Sequence, residues 1–160
     1  MDISLPKAIY EVLMEKARER GMSIEELIAD TFIDDPDYKA RAKKYIEGAK
    51  QLIEQAKIEV DKGDLRQASE KIWGACALAI KAYALFRDGK VLETHADLWV
   101  YKSRVALELG DWVRDVWAHA NTMHKNFYED LADKEDVEKA LSMVEKLVES
   151  IASRFLTRSS

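Results

Sequence analysis

Two histidines stand five residues apart in HANTMHKNFYED, residues 119 to 130, together with Asn121, Asn126 and Tyr128. An imidazole titrates near neutrality, so one within reach of a phenol and an amide has the chemistry of a general acid or base, for example on a ribose hydroxyl. Helical spacing sorts these residues into edges. Trp117, Asn121, His124 and Tyr128 follow at intervals of four, three and four and form one semi-polar ridge, while His119, Thr122 and Asn126 form a second on the opposite edge. Between the ridges, Val113, Val116, Ala120, Met123, Phe127 and Leu131 define a buried face. Arg114 lies about 140 degrees from the centre of that face, toward solvent. The candidate site residues are therefore His124, Asn121 and Tyr128 on one edge, with His119 on the other and Arg114 beyond it. The competing reading is structural: a half-buried histidine bonded to a neighbouring helix, with tyrosine and tryptophan as amphipathic packing.

Other chemistry finds less support. A metal site on one helix wants histidines three or four apart, whereas His119 and His124 diverge by about 140 degrees, so no metal is expected. Cys76 sits among alanines, where a thiol is inert packing. The segments GDLRQAS and RDGKVLE carry one glycine each, too few for a phosphate-binding loop, and the carboxylates fall at caps and on charged faces. No cofactor is expected.

The elements that must position the ridge are helices. Only two prolines and six glycines interrupt a chain of 160 residues that is 48% hydrophobic and 34% charged, a composition that suits long amphipathic helices in an all-α fold. No apolar run reaches the roughly 18 residues that span a bilayer, which excludes a membrane-spanning helix. The single cysteine cannot close an intramolecular disulfide and no charged-then-apolar leader opens the chain, so the expected location is cytoplasmic. Net charge is -5. Residues 1 to 33 carry four basic and seven acidic groups, and residues 111 to 133 two and five. Neither segment attracts phosphates, and DNA binding is not expected.

In chain order, Ile3 and Leu5 alternate with Asp2 and Ser4 like a short strand, which Pro6 ends while opening helix one, about Pro6 to Arg20, with Gly21 as its stop. Ser23 and Glu26 cap a second helix with Ile24, Leu27, Ile28 and Phe32. Asp35 is expected as N-cap and Pro36 as the first residue of helix three, which runs to about Asp61. Gly63 and Asp64 then force an antiparallel hairpin with helix four, about Leu65 to Arg87, the most apolar element. Thr94 with Asp97 caps helix five, Asp111 caps helix six, and Asp133 caps helix seven. The reading divides the chain into an arm, residues 1–33, and an up-and-down bundle of about five helices, residues 36–156.

Strand, helix and helix in that order resemble a ribbon-helix-helix module, which implies that the arm serves dimerisation. Asp2 and Ser4 stand where that family reads DNA, and the acidic Asp2 argues against operator binding. In the body, KGDLRQASEKIWGACALAIKAYAL followed by HKNFYED resembles the archaeal PaREP family, a branch of the HEPN clan of helical bundles, over about residues 36 to 150. The resemblance implies a homodimer associated with nucleotides or RNA, in some members a metal-independent RNase of toxin-antitoxin type. The clan's signature is an arginine followed after four to six residues by a histidine. Arg114 and His119 satisfy that spacing, whereas the HKNFYE match places the signature histidine at His124, whose predecessor at the same interval is His119. Both registrations remain open. Two further readings stand beside this one: a non-catalytic interaction module, suggested by one tetratricopeptide-like hairpin, and a DNA-binding regulator acting through the arm.

Overall fold

The computed structural model describes residues 3–158, with side chains through Phe155. Seven α-helices follow one another: α1 Lys7–Arg20, α2 Ile24–Phe32, α3 Tyr38–Lys62, α4 Leu65–Asp88, α5 His95–Leu109, α6 Trp112–Glu129 and α7 Lys134–Arg158. The described residues contain no strand. Residues 3–6 run without regular structure into α1, and Asp2 lies outside the described residues. The expected strand of the arm is corrected on this point, and the reason is physical. A lone extended segment has no neighbouring ladder of N–H and C=O groups to pair with, so alternation of apolar residues alone makes no strand.

Two other expectations change. Asp37, not Asp35, caps α3, accepting from the amides of Lys39 and Ala40, while Asp35 accepts from the Asp37 amide at 2.9 Å; this small turn places Pro36 outside the helix. Asp111 makes no side-chain cap bond, because its own backbone is already helical, at φ -61° and ψ -21°. The remaining caps form as the sequence suggests, except that the Glu26 carboxylate turns to Lys81 and returns no bond to Ser23. Thr94 and Asp97 exchange the reciprocal bonds of a capping box, Ser23 accepts from the Glu26 amide, and Asp133 accepts from the Asp136 amide.

α4 is the hub, packed against α2, α3, α5, α6 and α7. Ile72, Ala75, Cys76, Ala79 and Ile80 on this helix are wholly buried. Gly74 explains how α2 approaches so closely: a Cβ there would stand 3.1 Å from Ser23 Oγ and 3.2 Å from Leu52 Cδ1. The arm is different in kind. Ala17, Met22 and Leu27 form a small apolar cluster of their own, apart from the main core. Ile9 and Val12, on the apolar positions of α1, are 50% and 52% exposed. Leu131 is also exposed, because α6 ends at Glu129 and Asp130 turns left-handed (φ 53°) before the helical stripe can continue.

Candidate functional site

The site begins with a charge on the most apolar helix. Glu70 of α4 is buried and its Oε1 lies 3.0 Å from His124 Nδ1 on α6. Burial raises the Glu70 carboxyl above its ordinary value, and the neighbouring His124 works in the opposite direction. When Glu70 is ionised it can only accept, so His124 turns an Nδ1–H toward it. One turn along α4, the buried Trp73 ring lies 5.1 Å from the His124 ring, 5.3 Å from His95 and 5.4 Å from Trp117, measured between centroids.

His95 is the first residue of α5, held by the capping box that fixes the start of that helix. Its ring is 6.4 Å from that of His124 with only 23° between the planes. Burial, and then the neighbouring His124, lower the His95 pKa below its ordinary value, which keeps its imidazole neutral at pH 7. Trp99, one turn further on, forms the half-exposed rim beside His95 and Trp117. On the other side the Tyr128 ring stands edge-on to His124 at 5.8 Å, and the Arg18 guanidinium lies 4.9 Å above Tyr128. Within this aromatic group Trp73 Nε1, Trp117 Nε1 and His95 Nδ1 are buried without a hydrogen-bond partner. Leaving such groups unpaired is costly, so a polar ligand that met them would gain affinity.

Two cavities flank the cluster. One, of about 500 Å³, is lined by Tyr10, Glu25, Glu70, Lys71, Phe127 and Tyr128 among others. The second, of about 710 Å³, has Arg20, Asp30, Arg41, Thr94 and His95 in its wall.

Of the residues named from sequence, His124 and Tyr128 meet here, and Asn121 lies half-buried one turn before His124. Arg114 is placed elsewhere: its Nη1 lies 3.3 Å from Ser103 Oγ and its Nε 3.9 Å from Asp111. His119 turns its Nδ1 to the Asp115 carbonyl of its own helix at 2.8 Å. Among the described residues no bond joins Arg114 to His119 within one chain. Asn126, on the same edge as His119, has a structural task. Its Nδ2 donates to Ser69 Oγ at 2.9 Å, and its Oδ1 accepts from the amides of Leu131 and Ala132, both at 2.7 Å. Asn126→Leu should therefore cost about 3 kcal/mol in a denaturation experiment and loosen the α6–α7 turn; a loss under about 0.5 kcal/mol would show that water replaces these bonds.

Glu70, Trp73, His95 and Arg18 escaped the sequence reading. A usable signal existed for Glu70: with Lys81 it is one of two charges eleven residues apart, three turns, on the face of α4 that otherwise buries. His95 gave no such signal, because it lies in a cap and reaches the cluster only through tertiary packing. Cys76 is an inert thiol, pushed to about 12 by burial and then by the Glu26 charge. No three His, Cys, Asp or Glu groups among the described residues are arranged to hold a metal ion, and no helix is long and apolar enough to cross a membrane.

Fold and site together define an all-α bundle with a two-helix arm and a histidine, carboxylate and tryptophan cluster between α4, α5 and α6. The chain belongs to the Archaeal PaREP1/PaREP8 family, whose sequence pattern it matches over residues 44–148. The match includes Glu70, Trp73, His95, His124 and Tyr128 and begins after the arm. No curated protein and no solved structure matches the chain.

Proposed function

We propose that this chain is an HEPN-like nucleotide-associated protein that works as a homodimer and takes a nucleotide or the end of an RNA at the Trp73–His95–His124 cluster. The observation that carries the reading is the Glu70-oriented His124 beside a neutral His95, both against the buried face of Trp73. The partly exposed His95 and His124 rings, backed by Trp73, offer faces on which a base can stack. The free His124 Nε2 and the unpaired indole and imidazole nitrogens supply polar contacts for a ribose or a base edge. The adjoining cavities, one of about 500 Å³ against Glu70 and Tyr128 and one of about 710 Å³ against His95, are of ordinary ligand size. The net charge of -5 favours a nucleotide-sized ligand over a long polyanion. Binding comes before cleavage in this reading, because Arg114, the arginine in signature spacing, is engaged with Ser103 and Asp111 away from the cluster.

The homodimer draws support from the arm. Ile3, Ile9, Val12 and Phe32 leave 82%, 50%, 52% and 75% of their surface exposed, which a second copy packing on α1 and α2 would cover.

Adenosine monophosphate and a short single-stranded RNA, titrated against tryptophan fluorescence and by calorimetry, test the ligand. Saturable quenching is expected, with His95→Ala and His124→Ala each weakening binding about tenfold or more. Equal affinity in both variants and the parent, or no binding by the parent, would reject the site.

A further inference from the structure

The turn between α1 and α2 lies on the histidine cluster. Gly21 reverses the chain in the left-handed region (φ 66°), and a Cβ built there would stand only 3.5 Å from His95 Cβ. Met22, 3% exposed, lines both cavities at once: the one that reaches Glu70 and Tyr128, and the one that reaches His95. Ser23 follows, seated on the bare backbone of Gly74 next to Trp73. Three residues before the turn, Arg18 covers Tyr128. The segment from Arg18 to Ser23 thus touches both ends of the cluster, and the Met22 side chain stands between its two cavities.

What holds this segment down is unlike what holds the bundle together. α2 is tied to α4 by ion pairs, Glu26 and Asp30 to Lys81 and Glu25 to Lys71. α1 packs chiefly on α2, and their shared apolar cluster is separate from the main core, which only Ala29 of α2 and the following Ile33 join. A small unit with its own cluster and few apolar ties to the rest opens at lower free energy than the whole domain.

We propose that the α1–α2 turn is a plug. With Met22 seated, the cluster is divided between two cavities; when the arm lifts, they merge into one cleft that reaches His95, His124 and Trp73. This rests on the reading of that cluster as the ligand site, and it makes site access depend on whatever engages the arm.

The three histidines of the full-length chain provide the readout. Carbethoxylation by diethyl pyrocarbonate, followed residue by residue by mass spectrometry, compares His95 and His124 with His119, which lies on the opposite edge of α6 and serves as internal reference. In the parent both cluster histidines should react more slowly than His119. Met22→Ala should speed both about tenfold relative to His119 by making the arm easier to lift. The opposite perturbation is Ser23→Cys with Gly74→Cys. The Cβ of Ser23 lies 3.7 Å from the Cβ position at Gly74, within the span of a disulfide. Oxidation should slow His95 and His124 below the parent, and reduction should restore them, with His119 unchanged throughout. If both histidines keep one rate relative to His119 in the Met22→Ala, oxidised and reduced proteins, the plug is wrong. Adenosine monophosphate added to the same set separates the two ideas. Accessibility that changes while nucleotide affinity stays constant upholds the plug and overturns the nucleotide reading; affinity that follows accessibility upholds both.

Discussion

Lys81→Met should lose about 3–5 kcal/mol of folding stability at pH 7, a large part of the roughly 5–15 kcal/mol that holds a domain of this size. Lys81 is 2% exposed and answers two carboxylates, Glu26 with its Oε2 at 2.9 Å and Asp30, which also accepts from the Tyr45 hydroxyl at 2.7 Å. Glu26 is wholly buried, and its Oε1 has no hydrogen-bond partner. Removing the ammonium leaves that charge without compensation, and the loss arises from the stranded carboxylate more than from the vanished bonds. The pH dependence follows. Burial raises the Glu26 carboxyl above its ordinary value of 4.5, with Lys81 opposing, so in Lys81→Met it rises further. The folded state then holds more protons than the unfolded state in the window above pH 4.5, and stability falls as pH rises through it. The deficit of the variant should be greatest near pH 7 and shrink on acidification toward pH 5. Adding Glu26→Gln should recover a substantial part of the loss. Urea denaturation of the three proteins at both pH values decides the matter. A deficit that is equal at pH 7 and pH 5, and unchanged by Glu26→Gln, would place the cost in packing and not in charge.

Trp73→Ala is the second large effect, about 3–5 kcal/mol. The indole is fully buried at the meeting point of α4, α5 and α6, with the rings of His95, Trp117 and His124 within 5.4 Å between centroids. The hole left behind borders both histidines, so stability and ligand affinity should fall together. Trp73→Phe isolates the volume effect. Because Nε1 has no partner, exchanging indole for phenyl breaks no hydrogen bond, and the cost should be well under half that of alanine. Should Trp73→Phe match Trp73→Ala in stability while the affinity for nucleotide is kept, the indole would be a core residue with no part in the site.

The helices were legible because their signals are local. Gly21, Gly63 and the Thr94–Asp97 box end or begin helices through atoms a few residues apart, and a stripe such as Ala42, Tyr45, Ile46, Ala49, Leu52, Ile53, Ala56 and Val60 states its own buried face. The same locality misled at Asp35–Pro36, where two aspartates two residues apart compete to cap and only the backbone path chooses Asp37. It also misled for Leu131, which continues the stripe by arithmetic although the helix has already ended.

The candidate site was half legible. His124 and Tyr128 share a helical edge, and three- and four-residue spacing places them together whatever the rest of the chain does. Their partners come from other helices: Glu70 and Trp73 from α4, His95 from α5 and Arg18 from α1 lie from about thirty to more than one hundred residues away in sequence. No periodicity reports such a distance. By itself the sequence determined an all-α chain, the helices with most of their caps, and one polar edge of α6, because each of these depends on backbone geometry within a few turns. Only the tertiary structure decided that this edge faces a second histidine and a buried carboxylate, that Asn126 supports a turn, and that the arm lies over the cluster, because those relations arise where several helices pack on α4.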